Sequence, residues 1–268
     1  MRSESEGAKV SMKEKISITI DSELIKKVDN VIDGITIRNR SQALEHLIRK
    51  AISQKDAQEA VILAGGDIRK LKFGDTYKPL SRVEGKPLIV NTIQKLKEAG
   101  VKKVMIAAGP ITDKVFETVG DGSEYGLTII YLKDEGTGTA GAIKSAGKHV
   151  TGPFFVVLGD EYFDFDLKKM VEFHTMNGNP ATMAIAVTTL EKSKDCVKIM
   201  GNKIIGFKYQ PKEGEKTHYV NAGIYLFNPK VLEKMPAKGS LDKELIPPMT
   251  RKGEVTGFVF SGKWKHLM

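Results

Sequence analysis

Two adjacent glycines follow a short apolar run near residue 60, and charged side chains come directly after them. The run Ala60-Val61-Ile62-Leu63-Ala64 continues into Gly65 and Gly66, and then into Asp67, Arg69 and Lys70. Paired glycines after a buried strand let backbone N–H groups approach a base or a phosphate closely, although they also occur in ordinary tight turns. The pattern GxxxxGK[ST] is absent, so this turn is not a P-loop.

Asp160 directly follows another apolar run, Phe154-Phe155-Val156-Val157-Leu158-Gly159. In open α/β sheets, ligands bind outside the carboxyl ends of the strands, so side chains on several such turns can converge. Other turns and segment starts carry the further polar or small candidates Lys78, Gly138, Thr139 and Asn221.

The elements that would position these residues alternate between short apolar runs and helical patterns. This alternation predicts an α/β domain with a mostly parallel sheet. The predicted helices cover 88–99, 111–119, 139–147 and 166–177. The predicted strands cover 60–64, 103–108, 127–132, 154–158, 181–187, 219–227 and 255–260.

Composition excludes several classes of protein. The 268 residues include 41% hydrophobic and 28% charged residues, which is typical of a globular chain and excludes wholesale disorder. The single cysteine, Cys196, excludes an internal disulfide framework and indicates a reducing compartment. No apolar run approaches the ~18 residues of a membrane-spanning helix. We therefore expect a cytoplasmic protein without a membrane partner, and surface positions for His46, His149 and His174.

The N-terminal sixty residues have a different pattern. Ile16, Ile18 and Ile20 alternate with polar residues, which predicts a strand. Asp21 is a candidate N-cap for a helix that ends at Gly34, and a second helix opens at Ser41. One strand and two short helices cannot bury their apolar faces alone. Antiparallel pairing of the strands of two chains would solve this, so the segment predicts a homodimer or higher even oligomer.

A two-stranded ribbon of this kind fits the major groove of DNA. Its polar face would carry Lys15, Ser17 and Thr19, and the start of the second helix, at Arg40 and Ser41, would grip a phosphate. A dimerisation module that never contacts DNA is the alternative. The near-neutral charge favours that alternative, because residues 1–60 hold 11 Lys and Arg against 10 Asp and Glu, out of a total of +9.

The stretches ISITIDSELIKKVDNVID and RNRSQALEHLIRKAI resemble the ribbon-helix-helix family of DNA-binding proteins over residues 15–52. From residue 60 onward the chain resembles the sugar-1-phosphate nucleotidyltransferases. The stretches that carry this second resemblance are AVILAGG, YKPL, VEGKPLI, GTAGAI, FFVVLGD, DFDLKKMVEFH and YVNAGIYLFNP. It implies a Rossmann-like, GT-A-like α/β/α domain that forms a nucleoside-diphosphate sugar and pyrophosphate with Mg²⁺.

The same resemblance implies a role for each candidate residue. Leu63, Ala64, Gly65 and Gly66 would cradle the base and ribose, and Gly138 and Thr139 would contact the nucleoside. Lys78 would contact the phosphates and take part in catalysis, together with Arg69 or Lys70. Asp160 would hold the metal ion and Asn221 would bind the sugar.

Four departures from the family pattern bear on catalysis, one of which is Cys196 near a position where the family usually has a glycine close to the sugar. The glycine-rich loop lacks the usual GxGTR, and Asp67 would repel a triphosphate. The EKP motif is replaced by Tyr209-Gln210-Pro211, which removes a sugar-binding and a phosphate-binding charge. His266 stands where the closing GxWxD motif has a second magnesium-binding aspartate, with Lys263 and Lys265 beside it, and histidine is a poor magnesium ligand.

These departures favour the hypothesis of a DNA-binding transcriptional regulator. Its body would bind a nucleotide, sugar phosphate or nucleotide sugar with weak or no turnover, and its partner would be double-stranded DNA at a pseudo-palindromic site. The alternative is an active sugar-1-phosphate nucleotidyltransferase that uses Mg²⁺ and is dimerised by its N-terminal segment; without activity, no cofactor is expected. The domains would be a flexible N-terminus (1–14), a ribbon-helix-helix domain (15–53), a linker (54–59) and a nucleotidyltransferase-like domain (60–268).

Overall fold

The computed structural model describes residues 14–52, 57–133, 136–188, 195–212 and 217–267, with only the backbone at 49–52. The chain divides into two compact units, one up to Ile48 and one from Arg49 onward. Among the helices of the described ranges, none combines the length and the apolar character needed to cross a membrane.

The first unit contains two helices, α1 (Ser22–Asp29) and α2 (Arg40–Ile52). The predicted cap of α1 is confirmed, because the Asp21 carboxylate accepts hydrogen bonds from the N–H groups of Glu23 and Leu24. The unit buries few apolar side chains, of which Val28, Ile37 and Ala43 form the centre.

The predicted N-terminal strand is not formed. Residues 14–20 have no strand pairing within the described residues, because a strand needs a neighbour and the single chain supplies none there. The side chains of Ile16 and Ile18 are consequently 68% and 54% exposed. The single chain therefore shows the two helices of the predicted β-α-α unit, and the strand, which was expected to pair with a second chain, stays a prediction.

The second unit is built on an α/β sheet. The seven predicted strands and four predicted helices are confirmed, with no end shifted by more than one residue. The larger helices are α4 (Leu88–Glu98), α5 (Thr112–Val119), α6 (Gly138–Ala146), α7 (Leu167–Asn177) and α9 (Ile246–Arg251), and the short ones are α3 (Ile68–Leu71) and α8 (Val231–Lys234), a π-helical turn at Leu241–Leu245, and 3₁₀ turns at Lys78–Leu80, Gly109–Ile111, Ser123–Tyr125 and Gly147–His149. The strands of the main sheet are β1 (Glu59–Leu63), β6 (Lys103–Ala107), β7 (Thr128–Tyr131), β8 (Phe154–Leu158), β10 (Ala181–Val187), β11 (Cys196–Met200), β12 (Lys203–Lys208), β13 (Tyr219–Phe227) and β14 (Val255–Val259).

Six further strands form small two-stranded sheets: β2 (Lys72–Phe73) with β3 (Thr76–Tyr77), β4 (Arg82–Val83) with β5 (Lys86–Pro87), and β9 (Glu161–Asp164) with β15 (Lys263–His266). The sequence patterns did not predict these pairs, nor β11 and β12 of the main sheet. The β9–β15 pair matters most for function, since it places His266 opposite Glu161.

The main sheet is mixed, which corrects the prediction of a mostly parallel sheet. Its order is β10-β14-β12-β11-β13-β8-β1-β6-β7. Strands β8, β1, β6 and β7 run parallel to one another, and β10 runs parallel to β14. Strand β13 pairs antiparallel with both β8 and β10. The parallel half is the part in which each strand is followed by a helix that returns the chain, whereas β11 and β12 form a hairpin.

The core lies on both faces of this sheet. All five residues of β1 are buried, and successive side chains point to opposite faces. Ala60 and Ile62 pack with residues of α4, α5 and α7, while Val61 and Leu63 pack with residues of α6 and α9. The sequence therefore forms a three-layer α/β/α arrangement in which β1 is covered on every side.

His174 on α7 is buried, which corrects its expected surface position. Its ring contacts the Thr182 hydroxyl at 2.8 Å and the Asn228 side-chain oxygen at 3.2 Å. Burial lowers the pKa of His174 below its ordinary value, and the hydrogen bond to Asn228 opposes this only in part. The His174 ring is therefore neutral in the folded protein.

Acid should destabilise the protein partly through His174. As the pH falls below about 6.5, His174 binds a proton in the unfolded chain but stays neutral in the folded chain. Protonation therefore favours the unfolded chain, and the free energy of unfolding falls. We expect His174→Gln to flatten the fall in melting temperature between pH 7 and pH 5, measured by thermal unfolding. His218→Gln, at an exposed histidine, should follow the wild-type curve; equal slopes for His174→Gln and wild type would contradict this assignment.

Candidate active site

The glycine turn after β1 is held against the neighbouring strands by its backbone. Ala64 N–H donates to the Ala107 carbonyl at 2.9 Å, and Gly159 N–H donates to the Leu63 carbonyl at 2.9 Å. A Cβ on Gly65 would lie 2.9 Å from the carbonyl carbon of Ala108. Glycine is required at this position because two backbones meet, and the turn is thereby fixed at the carboxyl end of the sheet.

A cavity of about 340 Å³ opens over this turn. Of the residues predicted to bind nucleotide, the structure brings Leu63, Gly65, Gly66, Gly138 and Thr139 together in its wall. Ala64 is buried beneath the turn and does not line the cavity. The other lining residues are Asp67, Ala107, Gly109, Lys133, Gly136, Thr137, Ala142 and Ser145.

Arg69 is held by Asp67. Its guanidinium donates to both carboxylate oxygens of Asp67, at 3.1 and 2.8 Å, and Asp67 also caps α3 by accepting from the Arg69 N–H. These hydrogen bonds lower the pKa of Asp67 to about 2. The side chain of Arg69 is 87% exposed and neither Arg69 nor Lys70 lines the cavity, so neither predicted catalytic partner contacts it.

Lys78 and Asp160 form an ion pair. The Lys78 ammonium, at the start of the 3₁₀ turn Lys78–Leu80, lies 3.5 Å from the Asp160 carboxylate. Only 15% of the Lys78 side chain and 29% of the Asp160 side chain are exposed. The two residues predicted to hold phosphate and metal are thus brought together.

Two further polar side chains join Asp160. Glu161, the first residue of β9, is fully buried, and His266 ends β15 opposite it. His266 Nδ1 lies 3.2 Å from Glu161 and 3.7 Å from Asp160. A Cβ on Gly223 would lie 2.7 Å from the Glu161 side chain, so this glycine, with φ +74°, leaves space for the carboxylate.

Sequence reasoning missed Glu161. The motif GDE was read only for its aspartate, although the glutamate begins a strand, where successive residues face opposite ways. One signal was available in the sequence. His266 occupies the family's last metal-binding position, so it was expected to lie near Asp160 and therefore near the residue that follows Asp160. Ligand atoms of Asp160, Glu161 and His266 all lie within 4.8 Å of one another, so the three side chains can contact one cation.

Asn221 is buried and bound within the protein. Its amide donates to the Tyr225 hydroxyl at 2.6 Å and to Asp242 at 3.3 Å, and its oxygen accepts from the Gly223 N–H at 3.0 Å. Burial, together with the Asp242 carboxylate, raises the pKa of Tyr225 well above its ordinary value. The amide oxygen of Asn221 thus holds the β13 backbone, while its nitrogen contacts side chains, and a sugar-binding role for Asn221 stays a prediction.

The residues predicted to contact DNA do not form a groove-reading surface. Lys15, Ser17 and Thr19 lie on the unpaired segment 14–20, and Ser41 is exposed near the start of α2. The Arg40 guanidinium donates to both carboxylate oxygens of Asp29, at 2.7 and 2.9 Å. That neutral pair makes Arg40 less suited to phosphate.

Residues 59–267 match the nucleotidyl transferase family model. The chain belongs to this family. It is 31% identical over 220 residues to the Drosophila melanogaster mannose-1-phosphate guanylyltransferase catalytic subunit beta, covering 78% of this chain and 58% of that protein. It is also 31% identical over 219 residues to the Saccharomyces cerevisiae mannose-1-phosphate guanyltransferase, covering 77% of this chain and 60% of that protein. The chain thus spans about six-tenths of the length of these relatives.

A solved structure supports the same fold for this nucleotidyl transferase. A Bacillus anthracis protein described as a glucose-1-phosphate thymidylyltransferase, in complex with sucrose, superposes with a TM-score of 0.65 at 28% identity. The match covers 78% of this chain and 89% of that one. The nucleotidyltransferase α/β fold that the sequence predicted is therefore confirmed.

The hypothesis of a DNA-binding transcriptional regulator is wrong. The two relatives of this chain are named as guanylyltransferases, and the solved structure that resembles it is described as a sugar-phosphate nucleotidyltransferase. The hypothesis gave too much weight to a short N-terminal pattern and to missing catalytic charges. The motifs also did not reveal that the buried Glu161 lies beside Asp160 and His266.

Asp67→Asn should tighten the binding of nucleoside triphosphates. The change removes a negative charge from the cavity wall and releases the Arg69 guanidinium, while the Asn oxygen can still cap α3. We expect a gain of about fivefold in affinity from isothermal titration at fixed salt. Arg69→Ala in the Asp67→Asn background should reverse part of the gain. Weaker binding by Asp67→Asn would contradict the inferred repulsion.

Proposed function

We propose that this chain is an active nucleotidyltransferase that joins a nucleoside monophosphate to a sugar 1-phosphate and releases pyrophosphate. The observation that carries the proposal is the position of the Lys78–Asp160 pair, at the same carboxyl edge of the sheet as the glycine-lined cavity. One side of such a site suits a base and ribose, and the other suits phosphates and a cation.

The chemistry needs positioning more than covalent help from the protein. A phosphate oxygen of the sugar phosphate attacks the α-phosphorus, a new P–O bond forms, and the bond to the β-phosphate breaks to release pyrophosphate. Lys78, with its partly buried ammonium, would offset negative charge on the phosphates. A divalent cation held at Asp160, magnesium in the sequence-based prediction, would neutralise further charge there.

The relatives suggest which substrates to test first. Because two of them are named for mannose 1-phosphate and guanylyl transfer, GTP with mannose 1-phosphate is the first pair, and dTTP with glucose 1-phosphate is the second. Tyr209-Gln210-Pro211 replaces the EKP motif, which carries a sugar-binding charge in the family pattern, so several sugar phosphates have to be tested.

Pyrophosphate release should depend on Asp160. With a panel of four nucleoside triphosphates, several hexose 1-phosphates and Mg²⁺ or Mn²⁺, we expect turnover with at least one pair. Asp160→Asn should lower kcat at least a hundredfold, because it removes charge stabilisation at the reacting phosphates. A coupled pyrophosphate assay measures both.

Asp164→Asn is the matched control. Asp164 ends β9, the strand that begins immediately after Asp160, and pairs with Lys95 at 2.7 Å outside the cavity, so its replacement should leave turnover near wild type. Absence of pyrophosphate release with every pair, from a folded protein, would refute the proposed activity.

We further propose that the N-terminal unit associates with a second copy of the chain. Antiparallel pairing of residues 15–21 about Ile18 would set Ile16 against Ile20 and Lys15 against Asp21 of the other copy. Such pairing would cover the exposed Ile16 and Ile18 and supply the absent strand neighbour. Its support is this self-complementary order of apolar and charged residues.

Ile18→Asp should convert the dimer into a monomer. In the proposed pairing, residue 18 of one copy faces residue 18 of the other, so two carboxylates would repel each other and lose an apolar contact. Sedimentation velocity at about 10–100 μM chain would measure the change, and Ser17→Asp, on the other face, should leave the dimer intact. A monomeric wild type would refute this assembly.

A further inference from the structure

The three side chains Asp160, Glu161 and His266, here called the carboxylate–imidazole cluster, are brought together by a strand pairing. Strands β9 and β15 run antiparallel with His266 directly opposite Glu161. The Leu267 N–H donates to the Asp160 carbonyl at 2.9 Å, which ties the end of β15 to the residue after β8. Backbone hydrogen bonds therefore hold the cluster in place.

The spacing within the cluster matches that of ligands around one ion. Two ligands bound at ~2.1 Å and separated by roughly 100–120° lie about 3.2–3.6 Å apart. His266 Nδ1 lies 3.2 Å from Glu161 Oε1 and 3.7 Å from Asp160 Oδ2. The cluster is thus close to the size of a single coordination site before any rearrangement.

His266 Nδ1 is buried and makes no hydrogen bond within the described residues, although both carboxylates are near it. A buried polar nitrogen without a hydrogen bond is costly, and a cation would use its lone pair. The ring therefore presents a nitrogen donor to the space between two carboxylates.

The surrounding charges also favour a cation. Lys263 and Lys265, which the sequence placed beside the site, alternate with His266 along β15 and so lie on the other face of the strand. Lys263 is paired with Glu84 at 3.1 Å, and Lys265 is exposed. Lys78 is the ammonium at Asp160, and its single charge leaves the pair of carboxylates with an excess negative charge.

This donor set differs from the one that magnesium prefers. Mg²⁺ takes oxygen ligands in near-ideal octahedra, whereas imidazole nitrogen suits first-row transition metals. Asp160 fits either ion, but His266 replaces the oxygen that the resemblance assigns to a second aspartate. The residues present therefore do not fit a dedicated magnesium site.

We propose that the carboxylate–imidazole cluster binds a divalent transition-metal ion, of which Mn²⁺ is the probe, in preference to Mg²⁺. The two carboxylates supply oxygen and His266 supplies nitrogen. The use of that ion in turnover rests on the proposed function, but its binding requires neither nucleotide nor sugar.

Metal binding to the full chain, stripped with chelator, tests the proposal without substrates. We expect Mn²⁺ to bind at least tenfold more tightly than Mg²⁺ in an electron paramagnetic resonance titration with Mg²⁺ competition. Pulsed measurements should show coupling of the bound Mn²⁺ to a ¹⁴N nucleus. Glu161→Gln should weaken Mn²⁺ binding, and Asp164→Asn should leave it unchanged.

His266→Asp gives the sharpest comparison. It should abolish the ¹⁴N coupling and reduce the preference for Mn²⁺ over Mg²⁺ at least fivefold, because it makes all donors oxygen. His266→Asn tests the loss of the imidazole with a neutral side chain, and circular dichroism verifies that both variants fold.

Equal affinities of the wild type for Mn²⁺ and Mg²⁺, or bound Mn²⁺ without ¹⁴N coupling, would overturn the proposal even if pyrophosphate is released. Selective Mn²⁺ binding with no turnover for any substrate pair would instead support the cation site and refute the proposed function. The two proposals can therefore fail separately.

Discussion

Strand β1 lies between β6 and β8, and all five of its residues are buried. Neighbouring strands cover both edges of β1 and helices cover both of its faces, so the position of the strand is fixed. The turn at Gly65, which follows β1, is therefore fixed as well. The backbones of three neighbouring strands meet there, at Leu63, Ala107 and Gly159. The cavity and the Lys78–Asp160 pair lie on segments that this crowded edge positions, so the site depends on the burial of one apolar strand.

The sequence predicted the parts of the fold that follow from local pattern. Seven strands and four helices could be read because their apolar residues repeat with the expected period. Strands β11 and β12 form a hairpin with only short apolar stretches, because Lys198 interrupts β11 and Lys203 and Lys208 lie at the two ends of β12. The antiparallel pairing of β13 was out of reach, since an apolar run does not reveal its neighbours or its direction. The N-terminal strand stays a prediction for a related reason, because it needs a second chain to pair with.

The candidate site was predictable to the extent that glycines and carboxylates follow strands. Leu63, Gly65, Gly66, Gly138 and Thr139 do surround one cavity, and Lys78 does meet Asp160, while their roles stay predictions. The capture of Arg69 by Asp67 depends on side-chain geometry that the order of residues does not show. Glu161 and His266 meet only through the β9–β15 pairing. Missing motif charges were a weak ground for a DNA-binding regulator, because the motifs do not show which side chains the β9–β15 pairing brings beside Asp160.

The pairing of β9 with β15 joins residues roughly 100 positions apart, such as Asp164 and Lys263. Closing so long a loop costs conformational entropy before any contact repays it, and non-local pairings slow folding. Strand β1 pairs with β6 at a separation of 44 positions, such as Glu59 with Lys103, but with β8 at 95, such as Glu59 with Phe154. Both halves of the site therefore share one requirement, the closure of a long loop: the glycine turn meets Gly159 only when β8 docks beside β1, and the carboxylate–imidazole cluster forms only when β15 docks beside β9.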